Sequence, residues 1–256
     1  MNIIKRIHLI LCQFGINLLK FKNLIYIPFF LKSYFKFKKY SILKNLSTKH
    51  YILPVLGEHI EKSSKTVKHY FNQDLLVASY IFKQNPRKHV DVGSRIDGFV
   101  ANVASFRKIE VFDIRKNNFQ FKNIIFKKKD INNIDKSLIN YCDSISCLHT
   151  LEHFGLGRYG DKIDPEGHII GFKNLLKILK KNGRLYISFP ISNENKIYFN
   201  SERSFHPEEI LKWSKNLELL KFDLIDDNDK IFHDINLKKI KKKLNYSCGI
   251  YVFKKK

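Results

Sequence analysis

Apolar residues recur along positions 75–253 with two alternating rhythms. Leu75-Leu-Val-Ala-Ser-Tyr-Ile-Phe82 is a helical stretch, with Asp74 placed to cap it and Asn85-Pro86 to break it. Val90–Val92 reads as a buried strand, Gly98–Phe106 as a helix and Val111–Ile114 as a second strand. Asn123–Phe126 and Ser144–Leu148 continue as third and fourth strands. Positions 169, 170, 172, 175, 176, 178 and 179 are apolar, which is helical spacing over Ile169–Lys180, and Gly183 is placed as a C′ glycine. Leu185–Phe189 predicts a fifth strand stopped by Pro190. Glu209–Trp213 opens another helix, and Leu219–Ile225 and Gly249–Phe253 are late strands. The alternation predicts an α/β fold, a mostly parallel sheet with helices on both faces.

Residues 65–256 hold this pattern; residues 1–64 read as an apolar, basic helical extension. In residues 1–40 no small-residue cleavage site follows the apolar stretch, so a signal peptide is not predicted. Lys20, Lys22 and Pro28 leave two segments, Ile7–Leu19 and Asn23–Leu31, each short of the ~20 residues a spanning helix needs. Two readings stand for them: amphipathic helices lying on an anionic membrane surface, or a helical cap with solvated lysines. Positions 41–65 are loop-like.

Charge narrows the choice of partner. The 256 residues carry a formal +23, which points to nucleic acid, to a membrane surface, or to nothing beyond the Lys-, Asn- and Ile-rich bias of an AT-rich genome. Residues 1–57 contain no Asp or Glu, whereas 89–168 hold 11 acidic and 12 basic residues. The basicity therefore sits at the two ends, and nucleic acid is disfavoured as a partner. Cys12, Cys142, Cys147 and Cys248 form no CxxC pair, so neither zinc nor a disulfide framework is indicated. A reduced cytoplasmic protein is expected, peripheral on the inner face of the membrane if the N-terminal helices bind lipid.

The chemistry centres on His89-Val-Asp-Val-Gly-Ser-Arg-Ile-Asp-Gly-Phe99. A strand ends in Gly93-Ser94, and Asp113 closes the next strand twenty positions later, as in a nucleotide-binding βαβ unit. The full G-x-G-x-x-G of a dinucleotide site is missing. That favours S-adenosylmethionine, which has no pyrophosphate and needs a carboxylate near its amino group. Asp113 is placed for the ribose hydroxyls and Asp130, after the third strand, for the adenine. His69, Gln73 and Asp74 fall where they would rim the site; for Asp74 plain capping is the simpler reading.

Leu148-His-Thr-Leu-Glu-His153, a helix, and then Leu179-Lys-Lys-Asn-Gly-Arg-Leu-Tyr-Ile-Ser-Phe-Pro190 resemble motifs of class I S-adenosylmethionine-dependent methyltransferases. More narrowly, His89–Phe99, Ser146–Gly160, Asp161–Gly171 and Tyr198–Pro207 resemble a bacterial family known as domain of unknown function 268. The resemblance implies a Rossmann-like methyltransferase fold and a link to surface-polysaccharide assembly. It assigns Asp91, Gly93 and Ser94 to the methionine end of S-adenosylmethionine, Asp113 and Ile114 to the ribose, Asp130 and Ile131 to the adenine, and Leu148 to the floor. Arg95 departs from the family's Gly-x-Gly, and is placed to crowd the site or to bind an acidic group.

Glu152–His168 packs Glu152, His153, Arg158, Tyr159, Asp161, Asp164 and His168 into one insert at the sheet's carboxyl edge. Methyl transfer to oxygen or nitrogen needs a base and little else. His153 is the candidate base, with Glu152 or Asp161 to orient it. Arg158, Tyr159, His168, Arg203 and His206 are candidate acceptor contacts. Arg203 also reads as a surface ion-pair partner, and His206-Pro207 as a helix start. His149, His153, Asp161 and His168 match no zinc spacing, so no metal is assigned. The expected function is methyl transfer to a hydroxyl or amino group of a sugar or glycan precursor. The alternatives are a non-catalytic scaffold of the same fold and, less favoured, an RNA methyltransferase.

Overall fold

The computed structural model describes residues 3–17, 21–43, 52, 56, 69–117, 120–199, 201–240 and 243–256. Lys20, Asn200 and most of the loop expected over 41–65 lie outside the described residues. The chain divides into two compact units, Met1–Thr66 and Val67–Lys256.

The first unit carries α1 (Ile3–Gln13), a 3₁₀ turn (Lys22–Tyr26) and α2 (Ile27–Leu43). Pro28 sits at the start of α2, where its missing N–H costs nothing. Ile10, Phe14, Ile25, Phe29, Phe35 and Phe37 are exposed. Among the described residues no helix is long and apolar enough to cross a membrane.

The second unit contains the expected sheet. Its strands are β1 (His89–Val92), β2 (Ile109–Asp113), β3 (Ile124–Lys128), β4 (Cys142–Leu148), β5 (Leu179–Ile191), β8 (Leu217–Ile225), β9 (Ile231–Phe232) and β10 (Ser247–Lys255). They lie in the order β3-β2-β1-β4-β5-β10-β8-β9. The first five run parallel, and β10, β8 and β9 continue antiparallel. A small antiparallel pair, β6 (Lys196–Tyr198) with β7 (Glu202–Ser204), stands apart.

Two apolar clusters cover the sheet. On one face α3 (His69–Gln84) and the short α4 (Ala101–Ala104) contribute Val77, Ile81, Val103 and Ala104, packed with Phe99, Val111 and Tyr186. The other buries Phe172, Leu175 and Ile178 of α5 (Gly167–Ile178) with Ile145, Leu185 and Phe189. The chain moves from β1 outward to β2 and β3, then returns to β4 and β5. The crevice between the carboxyl ends of β1 and β4 is thus the switch point where ligands enter such sheets.

Four local expectations are corrected. Gly183 does not end α5; the helix stops at Ile178 and β5 starts at once. The pairing jumps from Cys142–Leu179 to Ser144–Arg184, so 180–183 bulge, and Asn182 takes the left-handed backbone (φ 63°). Nor does Pro190 stop β5. Its carbonyl accepts from Phe205 N at 3.0 Å, beyond the last β4 pair at Leu148–Ser188, so its missing N–H faces an edge that β4 has vacated. The helix expected over Gly98–Phe106 is a π turn (Ile96–Val100) leading into α4. Glu209–Lys212 is a single 3₁₀ turn.

Candidate active site at the switch point

β1 delivers Gly93 in the left-handed region (φ 69°), where a Cβ would lie 2.4 Å from Thr150 Cγ2. The turn after β1 therefore packs on the turn after β4, and only glycine fits. Asp91 is fully buried and turned into this corner. Its Oδ1 accepts from Ser94 Oγ (2.7 Å) and Ser146 Oγ (2.5 Å), and its Oδ2 from Ser94 N (3.0 Å). Burial raises its carboxyl to about 6. His89 closes the network between Ser144 and Ser146, and burial lowers its ring to about 3. Asp91 thus shapes the turn and lines neither neighbouring cavity, against the expectation that it faces the methionine end.

A cavity of about 660 Å³ opens at the switch point, within the size range of small-molecule sites. Gly93, Ser94, Arg95, Asp113, Leu148, His153, Arg158 and Tyr159 line it, together with Tyr70, Gln73 and Asp74 of α3 and with His149. A slot of about 70 Å³ adjoins it, lined by Asp113, Ile114, Asp130, Ile131, Tyr159 and Asp161. The strand-end residues assigned to ribose and adenine are therefore brought together. Asp113 is already engaged, however. Arg115 Nε and Nη2 grip its two oxygens at 2.9 and 2.7 Å. Asp130 is exposed and accepts from Asn132 N.

Asp74 is no helix cap. It lies inside α3, 5% exposed, and burial raises its carboxyl to about 6.

On the acceptor side, Glu152 is fully buried, 3.0 Å from His149 Nδ1 and 3.9 Å from His153 Nε2. Burial raises Glu152 to about 8 and lowers His149 to about 4. Glu152 thus pairs with His149 more closely than with His153. His153 Nδ1 lies 2.6 Å from the Ser201 carbonyl, which can only accept, so Nδ1 carries the proton and Nε2 is left as the basic nitrogen. Desolvation lowers the His153 pKa. Asp161 does not reach His153; it accepts from the backbone N–H of Gly155 (2.7 Å), Gly157 and Tyr159 and holds the turn. Arg158 Nη1 donates to the Ser201 carbonyl, and Tyr159 meets His153 edge-on.

Three expected acceptor contacts lie elsewhere. Arg203 is 1% exposed and donates to the carbonyls of Glu152, Phe154 and Pro165, stapling both ends of the insert. His168 stacks on Phe205 and meets Trp213 edge-on. His206 lines a separate recess of about 150 Å³ and accepts from Glu208 N, as a turn start. Sequence reasoning missed Tyr70, Arg115 and Glu202, and weighed His149 only as a metal ligand. Among the described residues no group of three or more His, Cys, Asp or Glu is arranged to hold a metal. Arg115, two positions after the ribose carboxylate, was the one signal open to a sequence reader.

Solved structures of similar fold include several methyltransferases. NodS, an N-methyltransferase from Bradyrhizobium japonicum WM9, superposes with a TM-score of 0.52 at 10% identity, over 75% of this chain and 98% of its own. Its complex with S-adenosyl-L-homocysteine gives 0.51 at 12% identity, over 77% and 90%. Coclaurine N-methyltransferase bound to N-methylheliamine and S-adenosylhomocysteine gives 0.51 at 9%, over 77% and 74%. At such identities the likeness establishes the fold, a Rossmann-like class I methyltransferase fold. No curated protein matches the sequence. Residues 97–248, more than half of the chain, match the family described as "Caenorhabditis protein of unknown function, DUF268". That description does not support the bacterial origin that the resemblance gave the family. The chain belongs to the DUF268 family.

Proposed function

We propose that this chain transfers a methyl group from S-adenosylmethionine to a hydroxyl or amino group of a sugar or glycan precursor. The observation that carries the reading is His153. A neutral imidazole, its Nδ1–H held by Ser201, stands at the wall shared by the cavity and the slot.

The residues present fit the cofactor at its methionine end, where Gly93 leaves a bare turn no Cβ could occupy. S-adenosylmethionine, when bound, supplies a methyl group already activated on a positively charged sulfur. Leu148 and the Gly93–Ser94 turn would hold its middle, and Asp113, Ile114 and Ile131 its nucleoside. His153 Nε2 takes the acceptor's proton. Glu152, kept neutral by burial, leaves that nitrogen without a competing anion. Positioning supplies the larger share of the rate. A polyhydroxylated acceptor suits a wall made of Tyr70, Arg158, Tyr159 and Glu202, all hydrogen-bonding side chains. Peripheral contact with anionic lipid through residues 1–40 is part of the same reading, supported by the exposed apolar side chains of α1 and α2 and by the absence of acids there.

The test is calorimetry with S-adenosylhomocysteine, followed by transfer of labelled methyl to sugar acceptors. Binding at micromolar ligand and label on the sugar are expected. No binding at millimolar ligand refutes the reading. A second reading, a non-catalytic binding protein of the same fold, is favoured by the Arg115 grip on Asp113. It predicts binding of a different ligand and no transfer. For the lipid contact, flotation with vesicles containing phosphatidylserine is expected to exceed flotation with neutral vesicles; equal recovery removes that part.

A further inference from the structure

Sequence logic gives the cofactor's amino group to the carboxylate of the first strand. In this chain that carboxylate is spent. Asp91 is wholly buried, accepts three hydrogen bonds from Ser94 and Ser146, and lines neither the cavity nor the slot. A second carboxylate stands on the cavity wall beside the same glycine turn, and it comes from α3.

We propose that Asp74, in place of Asp91, receives the cationic amino group of the amino-acid end of the ligand. This rests on the S-adenosylmethionine reading above. Four observations support it. Asp74 lines the cavity with Gly93, Ser94 and Arg95, although it is 5% exposed. It has no salt bridge among the described residues; Arg95, the nearest guanidinium in sequence to the turn, is engaged by Asp97 at 3.2 and 3.0 Å and lies over the Tyr70 ring. Its position is built: Gln73 Nε2 donates to its Oδ1 at 3.0 Å, and Gln73 Oε1 is in turn held by Ser188 Oγ and Cys248 Sγ. Room has been made for it as well, since a Cβ at Gly98 would fall 2.3 Å from Asp74 Oδ2.

A carboxylate desolvated inside a helix, without an ion pair, is costly to keep. An ammonium group arriving in the cavity supplies the missing charge and a donor for the remaining lone pairs. The ligand class is thus an amino-acid-bearing nucleoside, whose ammonium group meets the Asp74 carboxylate. Burial raises the carboxyl to about 6, and the Gln73 hydrogen bond and the Arg95 charge offset that only in part. The charged and titratable groups that act on Asp74 are Arg95 and Asp97 from the turn after β1, Asp91 from β1 and Cys248 from β10.

The experiment compares S-adenosylhomocysteine with 5′-methylthioadenosine, which shares the thionucleoside and lacks the amino acid, by calorimetry on the full chain. In Asp74→Asn, affinity for S-adenosylhomocysteine should fall at least ~10-fold, as expected for a lost charge-assisted hydrogen bond. Affinity for methylthioadenosine should change less than about 2-fold, within the scatter of a surface-like substitution. Equal losses for the two ligands, or no loss for either, overturn the assignment. A measurement on the unaltered protein guards against misfolding of the variant. At pH 6, where the carboxyl is about half protonated, S-adenosylhomocysteine should expel part of a proton and methylthioadenosine none, read from binding heats in buffers of different ionisation enthalpy. The same proton count for both ligands also overturns it. If neither ligand binds the unaltered protein, the cofactor reading itself has failed and the Asp74 assignment falls with it. If both bind and only the discrimination is missing, the cofactor reading survives alone.

Discussion

Replacing Arg203 by Met should unfold the acceptor insert rather than weaken substrate binding. The guanidinium is 1% exposed and donates to Glu152 and Phe154 from Nη1 (3.2 and 2.6 Å) and to Pro165 from Nη2 (3.1 Å). Each such bond from a charged donor contributes about 1.5–3 kcal/mol. The sum overstates the effect, because the charge is desolvated and its Nε has no partner among the described residues. Methionine fills much of the volume but leaves three carbonyls short of a donor. A loss of about 3 kcal/mol is expected, a large share of the ~5–15 kcal/mol typical of a domain. Urea denaturation measures it, with limited proteolysis to show cleavage appearing in 152–166. Arg203→Lys should recover less than half, since an ammonium cannot span three carbonyls as a fork does. A stability loss below about 1 kcal/mol, combined with a raised KM for the acceptor, would refute the structural assignment and return Arg203 to the substrate.

His153→Asn should lower kcat by ~10²–10⁴ while leaving S-adenosylhomocysteine affinity near its original value; unchanged kcat would dismiss His153 as the base. Because desolvation lowers the His153 pKa, the acid limb of the rate profile should fall below pH 6.5, and a limb above that value contradicts the buried site. Glu152 has its folded pKa raised from 4.5 to about 8. Its contribution is therefore complete below 4.5 and lost as pH rises through 8. Relative to Glu152→Gln, the unaltered protein should lose up to ~1.4 kcal/mol per pH unit across that window, and parallel stability profiles would count against it. Arg115→Met removes the guanidinium from Asp113, freeing Oδ2 and leaving Oδ1 only the backbone N–H of position 115 (2.9 Å), and should tighten S-adenosylhomocysteine binding a few-fold, in keeping with the ~1 kcal/mol of such partly exposed pairs; weaker binding would make Arg115 a ligand contact instead.

What was legible in the sequence were features with local causes. An apolar run of strand length, ended by a glycine that must adopt positive φ, announces β1 and its turn. Carboxylates at successive strand ends announce the crevice, and Asp113, Asp130 and Leu148 do line it. What was not legible depends on partners far along the chain. Asp74 precedes an apolar run and reads as a cap, yet it lies inside α3 (His69–Gln84), where Gln73 and the Phe99 N–H make a buried carboxylate tolerable. Arg203 reads as a surface cation, because three carbonyls from 152–165 leave no trace in composition. Pro190 reads as a strand end, because nothing in the sequence shows that β4 has already finished beside it. The glycines of the insert have a local cause of the same kind: Gly155, Gly157 and Gly160 all take positive φ.

The position of β10 bears on how the molecule is made. This strand lies between β5 and β8, antiparallel to both, although it follows them in sequence. During synthesis β8 and β9 leave the ribosome before the neighbour that joins them to the sheet. The parallel half, β1 to β5, can close on its own order of appearance; the antiparallel half must wait. In that interval β5 offers a bare edge rich in Leu, Ile and Phe, the kind of surface on which chaperones act and aggregates start. A truncation before Ser247 would make that interval permanent.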